Sequence, residues 1–148
     1  DVRLKAQEAR RARHGNTVCL QEPNVKNGCG GLRDYQGLRW IAGLLYRAAA
    51  LSALARHGWL RDADVARREA AEDYLLRVRN ELHYHTGRAG DVLTKHVQPA
   101  VAHNLGCTDR SLSRRVERLT EGRISMGWPA RRFLQPDLAT RIKRCWPA

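Results

Sequence analysis

Five glycines, Gly15, Gly58, Gly87, Gly106 and Gly122, divide the chain into stretches in which apolar residues recur at three- and four-residue steps. That rhythm is the period of an α-helix, and glycine most readily takes the backbone conformation that ends one. Residues 1–14 read as an arginine-rich helix, followed by a short extended piece over 16–21. Residues 32–57 repeat Leu38, Ile41, Leu45, Ala48, Ala49, Ser52 and Ala55 and read as one long helix. Residues 63–86 place Val65, Ala71, Tyr74, Leu75, Val78 and Leu82 inward and Arg67, Arg68, Glu72 and Arg79 outward, with Asp62 or Asp64 as the cap. From Asp91 to Gly106 the pattern is Leu93, Val97, Val101 and Leu105, where Pro99 must kink the helix or start its second half. Residues 109–121 give a last helix, 126–136 an irregular arm, and 137–145 a short helix. The expected fold is all-α, an antiparallel bundle of four to five helices led by an irregular glycine-rich loop. Residues 1–21 divide off as an N-terminal helix and connector, 22–121 as the bundle, and 122–148 as a C-terminal arm.

Size and charge narrow the function classes. A chain of 148 residues supports one core that buries roughly 68–70% of the unfolded surface. Its 43% hydrophobic and 28% charged residues are those of a globular chain. No apolar run approaches the ~20 residues of a bilayer span, so the expectation is a cytoplasmic protein with no membrane partner. The net charge of +12 invites a polyanion. Cys19, Cys29, Cys107 and Cys145 form no Cys-x-x-Cys and lie near no histidine at ligand spacing, so they read as reduced thiols and no metal site is expected. The opening without methionine reads as a piece of a longer protein.

The stretch most suited to holding an anion is residues 22–40, EPNVKNGCGGLRDYQGLRW. Gly28, Gly30 and Gly31 let successive N–H groups turn toward one point, flanked by Lys26 and Arg33 and by the positive end of the helix that follows. The plainer reading is a turn and a cap, because the run matches no standard phosphate motif. Asp34, in the first helical turn, has an ordinary place there opposite the helix dipole.

The second dense stretch is residues 77–88, RVRNELHYHTGR. His83 and His85 are two apart, point about 200° apart on a helix and cannot share a metal. Glu81 and His85 share a face as a possible couple, and histidine and Arg88 at a helix end are ordinary favourable cations.

Taken whole, these phrases resemble the helical domain that follows the nucleotidyltransferase core in the bifunctional uridylyltransferase/uridylyl-removing enzymes of PII signalling. Glu22, Pro23, Asn24, Val25, Lys26, Gly30, Gly31, Leu32, Arg33, Asp34 and Trp40 fall on that family's first phrase. Cys29 stands there for its usual small residue or proline. Arg77, Arg79, Leu82, His83, Gly87, Arg88, Asp91, Leu93, Gln98, Val101, Ala102, Leu105 and Gly106 follow its second phrase in order.

The resemblance implies uridylyl transfer from UTP to a tyrosine of a PII-like protein, with magnesium held by acidic residues of an adjacent core. That core's Gly-Ser and Asp-x-Asp signature is absent here: Asp62 and Asp64 are spaced correctly but read as helix caps. The family's His-Asp metal motif and its ligand-sensing domains are absent as well. The chain therefore reads as a companion domain with no catalytic residue and no cofactor of its own, while the complete enzyme needs Mg and UTP. Lys26, Gly30, Gly31 and Arg33 are the phosphate-side candidates, and Asp34, Arg79, His83 and Arg88 carry the helical-domain motif. Expected partners are the nucleotidyltransferase core and a PII-like protein.

A DNA-binding helix-turn-helix is the alternative. Ala102, Gly106 and Leu112 take its spacing, and Arg110, Arg114, Arg115 and Arg118 line its second helix. In that reading nucleic acid is the partner. The glycine phrase has no role in it, and residues 120–148 fit neither pattern.

Overall fold

The computed structural model describes residues 2–119 except 16, 18, 19, 49, 112, 115 and 118. The expected C-terminal arm and its short helix, and Leu112, Arg115 and Arg118 of the alternative motif, lie outside the described residues. Five named helices follow one another: α1 (Val2–Arg13), α2 (Leu32–Tyr46), α3 (Ser52–Arg56), α4 (Asp62–Thr86) and α5 (Gln98–Asn104). Residues 113, 114, 116, 117 and 119 are also helical. Among the described residues the only β pairing is an isolated bridge between Asn24 and Val92, so the fold is all-α. None of the described helices is long and apolar enough to cross a membrane.

The spine is α4, whose 25 residues extend about 37 Å. Its inward side chains supply three apolar clusters in turn. Val65 joins Leu38, Ala42, Leu51, Leu54 and Leu60; Ala71 and Leu75 meet Leu32 and Tyr35; Val78 and Leu82 pack with Val25, Leu93, Val97, Val101, Ala102 and Leu119. Each fully buried leucine contributes on the order of 1.5–3 kcal/mol. Arg68, read as outward, is buried on the same helix at 8% exposure. It sits one helical turn from Val65 and Ala71, so the packed stripe takes its stem inside.

The long helix read over 32–57 is two. Arg47 takes a left-handed φ of 50° and donates its N–H to Gly43, which ends α2, although the alanines after it favour helix. Tertiary packing overrides that preference: a straight continuation would carry residues 47–57 some 16 Å past the cluster, whereas the break returns Leu51 and Leu54 to it at 0% and 1% exposure. The corner is closed by Tyr46, whose ring stacks on His57 at 3.8 Å and whose hydroxyl accepts the Trp59 indole N–H.

The pattern read from Asp91 as helix is not helical until α5 begins: Val92 pairs in the bridge and residues 95–97 form a turn, in which Val97 donates its N–H to Thr94. Pro99 lies in the first turn of α5, where its missing N–H costs nothing. At the other end of the intervening segment, Gly87 caps α4 in the left-handed conformation expected of it.

Candidate functional site

Two phrases far apart in the sequence meet at the Asn24–Val92 bridge. Val25 donates its N–H to the Asp91 carbonyl at 2.8 Å, and Leu93 donates to Pro23 at 3.0 Å. Around that pair Glu22 accepts the Lys95 N–H at 2.8 Å, and buried Gln98 donates to the carbonyls of Gln21 (2.7 Å) and Leu93 (3.0 Å).

From the bridge the chain enters the glycine loop. Asn24 Oδ1 accepts the N–H groups of Lys26 at 3.1 Å and Asn27 at 2.7 Å. Gly30 follows with φ 72°, and a Cβ on Gly31 would stand 2.9 Å from each of the Val25, Lys26 and Gly28 carbonyl oxygens. No side chain fits at Gly31 without moving backbone.

The loop does turn an N–H toward an anion, but the anion belongs to the chain. Gly30 donates to Asp34 Oδ2 at 2.9 Å. The same carboxylate takes Arg11 Nη2 on Oδ2 at 3.0 Å, and Arg10 Nη2 at 2.5 Å and Gln7 Nε2 at 3.1 Å on Oδ1. Arg10 Nη1 also reaches the Asn27 carbonyl at 2.7 Å. The other N–H groups of the loop are used internally as well: Gly28 donates to Asn24, Gly31 to Gly28, Leu32 to Val25, Arg33 to Lys26 and Asp34 to Gly31. Asp34 is 3% exposed, and burial by itself would raise its pKa. The Arg10 hydrogen bond, the Arg11 charge and the Gly30 N–H outweigh burial and hold it below the ordinary carboxylate value.

A second carboxylate lies on the other side of the bridge. Asp91 Oδ1 accepts Arg79 Nε at 2.6 Å and faces His83 Nε2 at 3.6 Å, while Oδ2 lies 3.7 Å from Lys26 Nζ. Burial pushes its pKa up; the Arg79 hydrogen bond, with the charges of Arg79, Lys26 and His83, pulls it down further. Lys26 from the first phrase and Arg79 and His83 from the second thus share one counterion.

The remaining candidates stand apart. Arg33 is exposed on the first turn of α2, and Arg88 is exposed just beyond α4, its carbonyl accepting the Thr86 hydroxyl. Arg110 and Arg114 are exposed as well. Asp64 is ion-paired with Arg61 at 2.9 Å at the start of α4. Asp34 and Asp91 are both saturated by cationic donors, and no group of three or more His, Cys, Asp or Glu that could hold a metal occurs among the described residues. These carboxylates do not fit a magnesium ion.

Arg10, Arg11, Gln7 and Asp91 complete these two centres, and the sequence did not single them out as site residues. The available signal was an adjacent arginine pair on a helix, of which Arg10 has no acidic residue at three- or four-residue spacing, together with a carboxylate just after the glycines.

A model of the GlnD PII-uridylyltransferase family matches residues 1–123, from α1 through both phrases and beyond the buried Leu119. The chain belongs to that family. It is 43% identical over 117 residues to the bifunctional uridylyltransferase/uridylyl-removing enzyme of Cereibacter sphaeroides. Its identity to the proteins of the same description from Rhodospirillum rubrum and Erythrobacter litoralis is 40% and 39%, each over 119 residues. These matches take in 79% to 80% of this chain but only 13% of each relative. No solved structure matches the chain. The uridylyltransferase family match includes α1, whose Arg10 and Arg11 hold Asp34.

Proposed function

We propose that this chain is the helical companion domain of a cytoplasmic uridylyltransferase that moves a uridylyl group from UTP to a PII-like signalling protein. The reading rests on one observation: the two phrases that carry the family resemblance are joined by the Asn24–Val92 bridge and share Asp91 as a counterion. Residues 22–121 form the helical unit, with 1–21 connecting it to a nucleotidyltransferase core. That core supplies the magnesium site and the chemistry; the companion domain does not catalyse alone.

Its contribution is positioning. The loop's N–H groups are engaged within the chain, so side chains make any contact with the triphosphate. Arg33 is the best placed, exposed where the glycine loop enters α2, with Lys26 held beside it by Asp91. An arginine there supplies charge-assisted hydrogen bonds to a phosphate and fixes its orientation. In the complete enzyme, Arg33→Ala is expected to lower kcat/KM for UTP about tenfold or more, mostly through KM. Steady-state kinetics with a PII-like acceptor test this, and unchanged constants return Arg33 to the solvated surface.

A further inference from the structure

Helix α2 is apolar on two opposite sides. Tyr35, Leu38 and Ala42 point into the core, at 2%, 5% and 0% exposure. On the far side Trp40 is 49% and Leu44 59% exposed, while half-buried Ile41 packs against the core cluster. At 100° per residue, Gly37, Trp40 and Leu44 fall on one face. Large apolar side chains grouped opposite the core-facing side of a helix mark a face that another element can cover.

The glycines in this helix make an independent point. A Cβ added at Gly37 or Gly43 meets nothing within 4 Å. Neither glycine is needed by the packing of the described residues, and each weakens the helix relative to alanine. A glycine on an open helix face is useful where another backbone approaches closely. α2 has one acidic residue, Asp34, and it is buried; the far end of the stripe is marked by exposed Arg47. The matched part of the chain also amounts to 13% of its relatives' length, which leaves most of such a protein outside these residues.

We propose that the Gly37, Trp40 and Leu44 face of α2 is an interdomain seam, covered by an apolar helix from elsewhere in the same longer polypeptide. A carboxylate of that helix faces Arg47. Arg33, one turn before Gly37, then lies at the edge of the seam. The inference rests on the companion-domain reading insofar as it places this domain within a larger enzyme.

The test uses the full-length protein carrying Leu44→Cys or, as the exposed control on α3, Arg56→Cys, with maleimide labelling rates read by peptide mass spectrometry. The thiol introduced at position 44 is expected to react at least about tenfold more slowly than the one at position 56, as a packed face requires. Equal rates overturn the seam. Protection that disappears on dilution overturns it too, because a second copy is then the cover. If the Leu44→Cys protein does not fold, Gly37→Ala decides: a lower melting temperature fits a backbone packed against the glycine, whereas a higher one is that of a solvated helix and overturns the proposal. Protection at position 44 in a protein without uridylyl transfer would reject the functional reading and leave the seam standing. Transfer by a protein whose position 44 is unprotected would do the reverse.

Discussion

Asp34 and Asp91 are built alike and buried differently. Each carboxylate gathers cations from segments far apart in the chain: Asp34 joins α1 to the glycine loop and α2, and Asp91 joins that loop to α4 and the segment after it. The Asp34 side chain is 2% exposed with Arg11 at 6%, whereas Asp91 is 19% exposed with Lys26 at 33% and Arg79 at 28%. The lesson is that the number of charges around a carboxylate does not set its leverage. At Asp34 loss of the anion strands guanidinium inside protein, while at Asp91 water reaches the cations that remain.

The strongest test of that difference is Asp34→Ala. It is expected to cost about 3–5 kcal/mol, the usual penalty for removing one partner of a buried ion pair, measured by urea unfolding. The same variant should release α1 first, seen as faster hydrogen exchange in that helix. Among the described side chains of α1 only Arg11 is buried, and none of them joins an apolar cluster. An Asp34→Ala protein as stable as Asp91→Asn would break the comparison.

Acid sharpens it. Both carboxylates have folded-state pKa values below the ordinary 3.8, so the unfolded chain binds protons first as the pH falls. Their contribution is complete above 3.8 and disappears as the pH drops through the lowered folded values. Stability followed from about pH 5 downward should fall less steeply in Asp34→Ala than in the parent chain.

The smallest effect belongs to Asp91→Asn, expected to cost about 1–2 kcal/mol at low salt as a partly hydrated charge-assisted bond. In about 1 M salt, where the screening length is about 3 Å, that deficit should shrink while the Asp34→Ala deficit persists. Equal salt responses would mean that the two centres are equally wet.

What the sequence made legible follows from the range of the interactions. α4 and its glycine stop are local matters of periodicity and caps, and they are readable in order; the start of α5 is only half so, because Pro99 left a kink or a fresh start open and the helix read from Asp91 begins at Gln98. The break at Arg47 is not, because the alanines favour helix and only the distant demand of Leu51 and Leu54 ends it. Arg68 was read as outward for a similar reason: helical spacing says which residues share a stripe but not how wide the packed stripe is. At the site, both phrases were legible as phrases, with Lys26, Arg79, His83 and Asp34 among their candidates. Their grouping was not, since a backbone bridge between distant segments decides which of them meet. The glycines marked a turned loop suited to an anion; nothing local could say that the Gly30 N–H is taken by Asp34's own carboxylate.

That internal anion also sets a timetable. Arg11 lies 23 residues before Asp34, so at synthesis rates of about 5–20 residues per second the guanidiniums of α1 are made about 1–5 s before their counterion exists. During that interval no apolar cluster formed by its described side chains holds the helix to the nascent chain. The first turn of α2 therefore acts as the moment of capture. Only later, when the segment after α4 emerges, does Lys26 find Asp91 and the loop close from its other side.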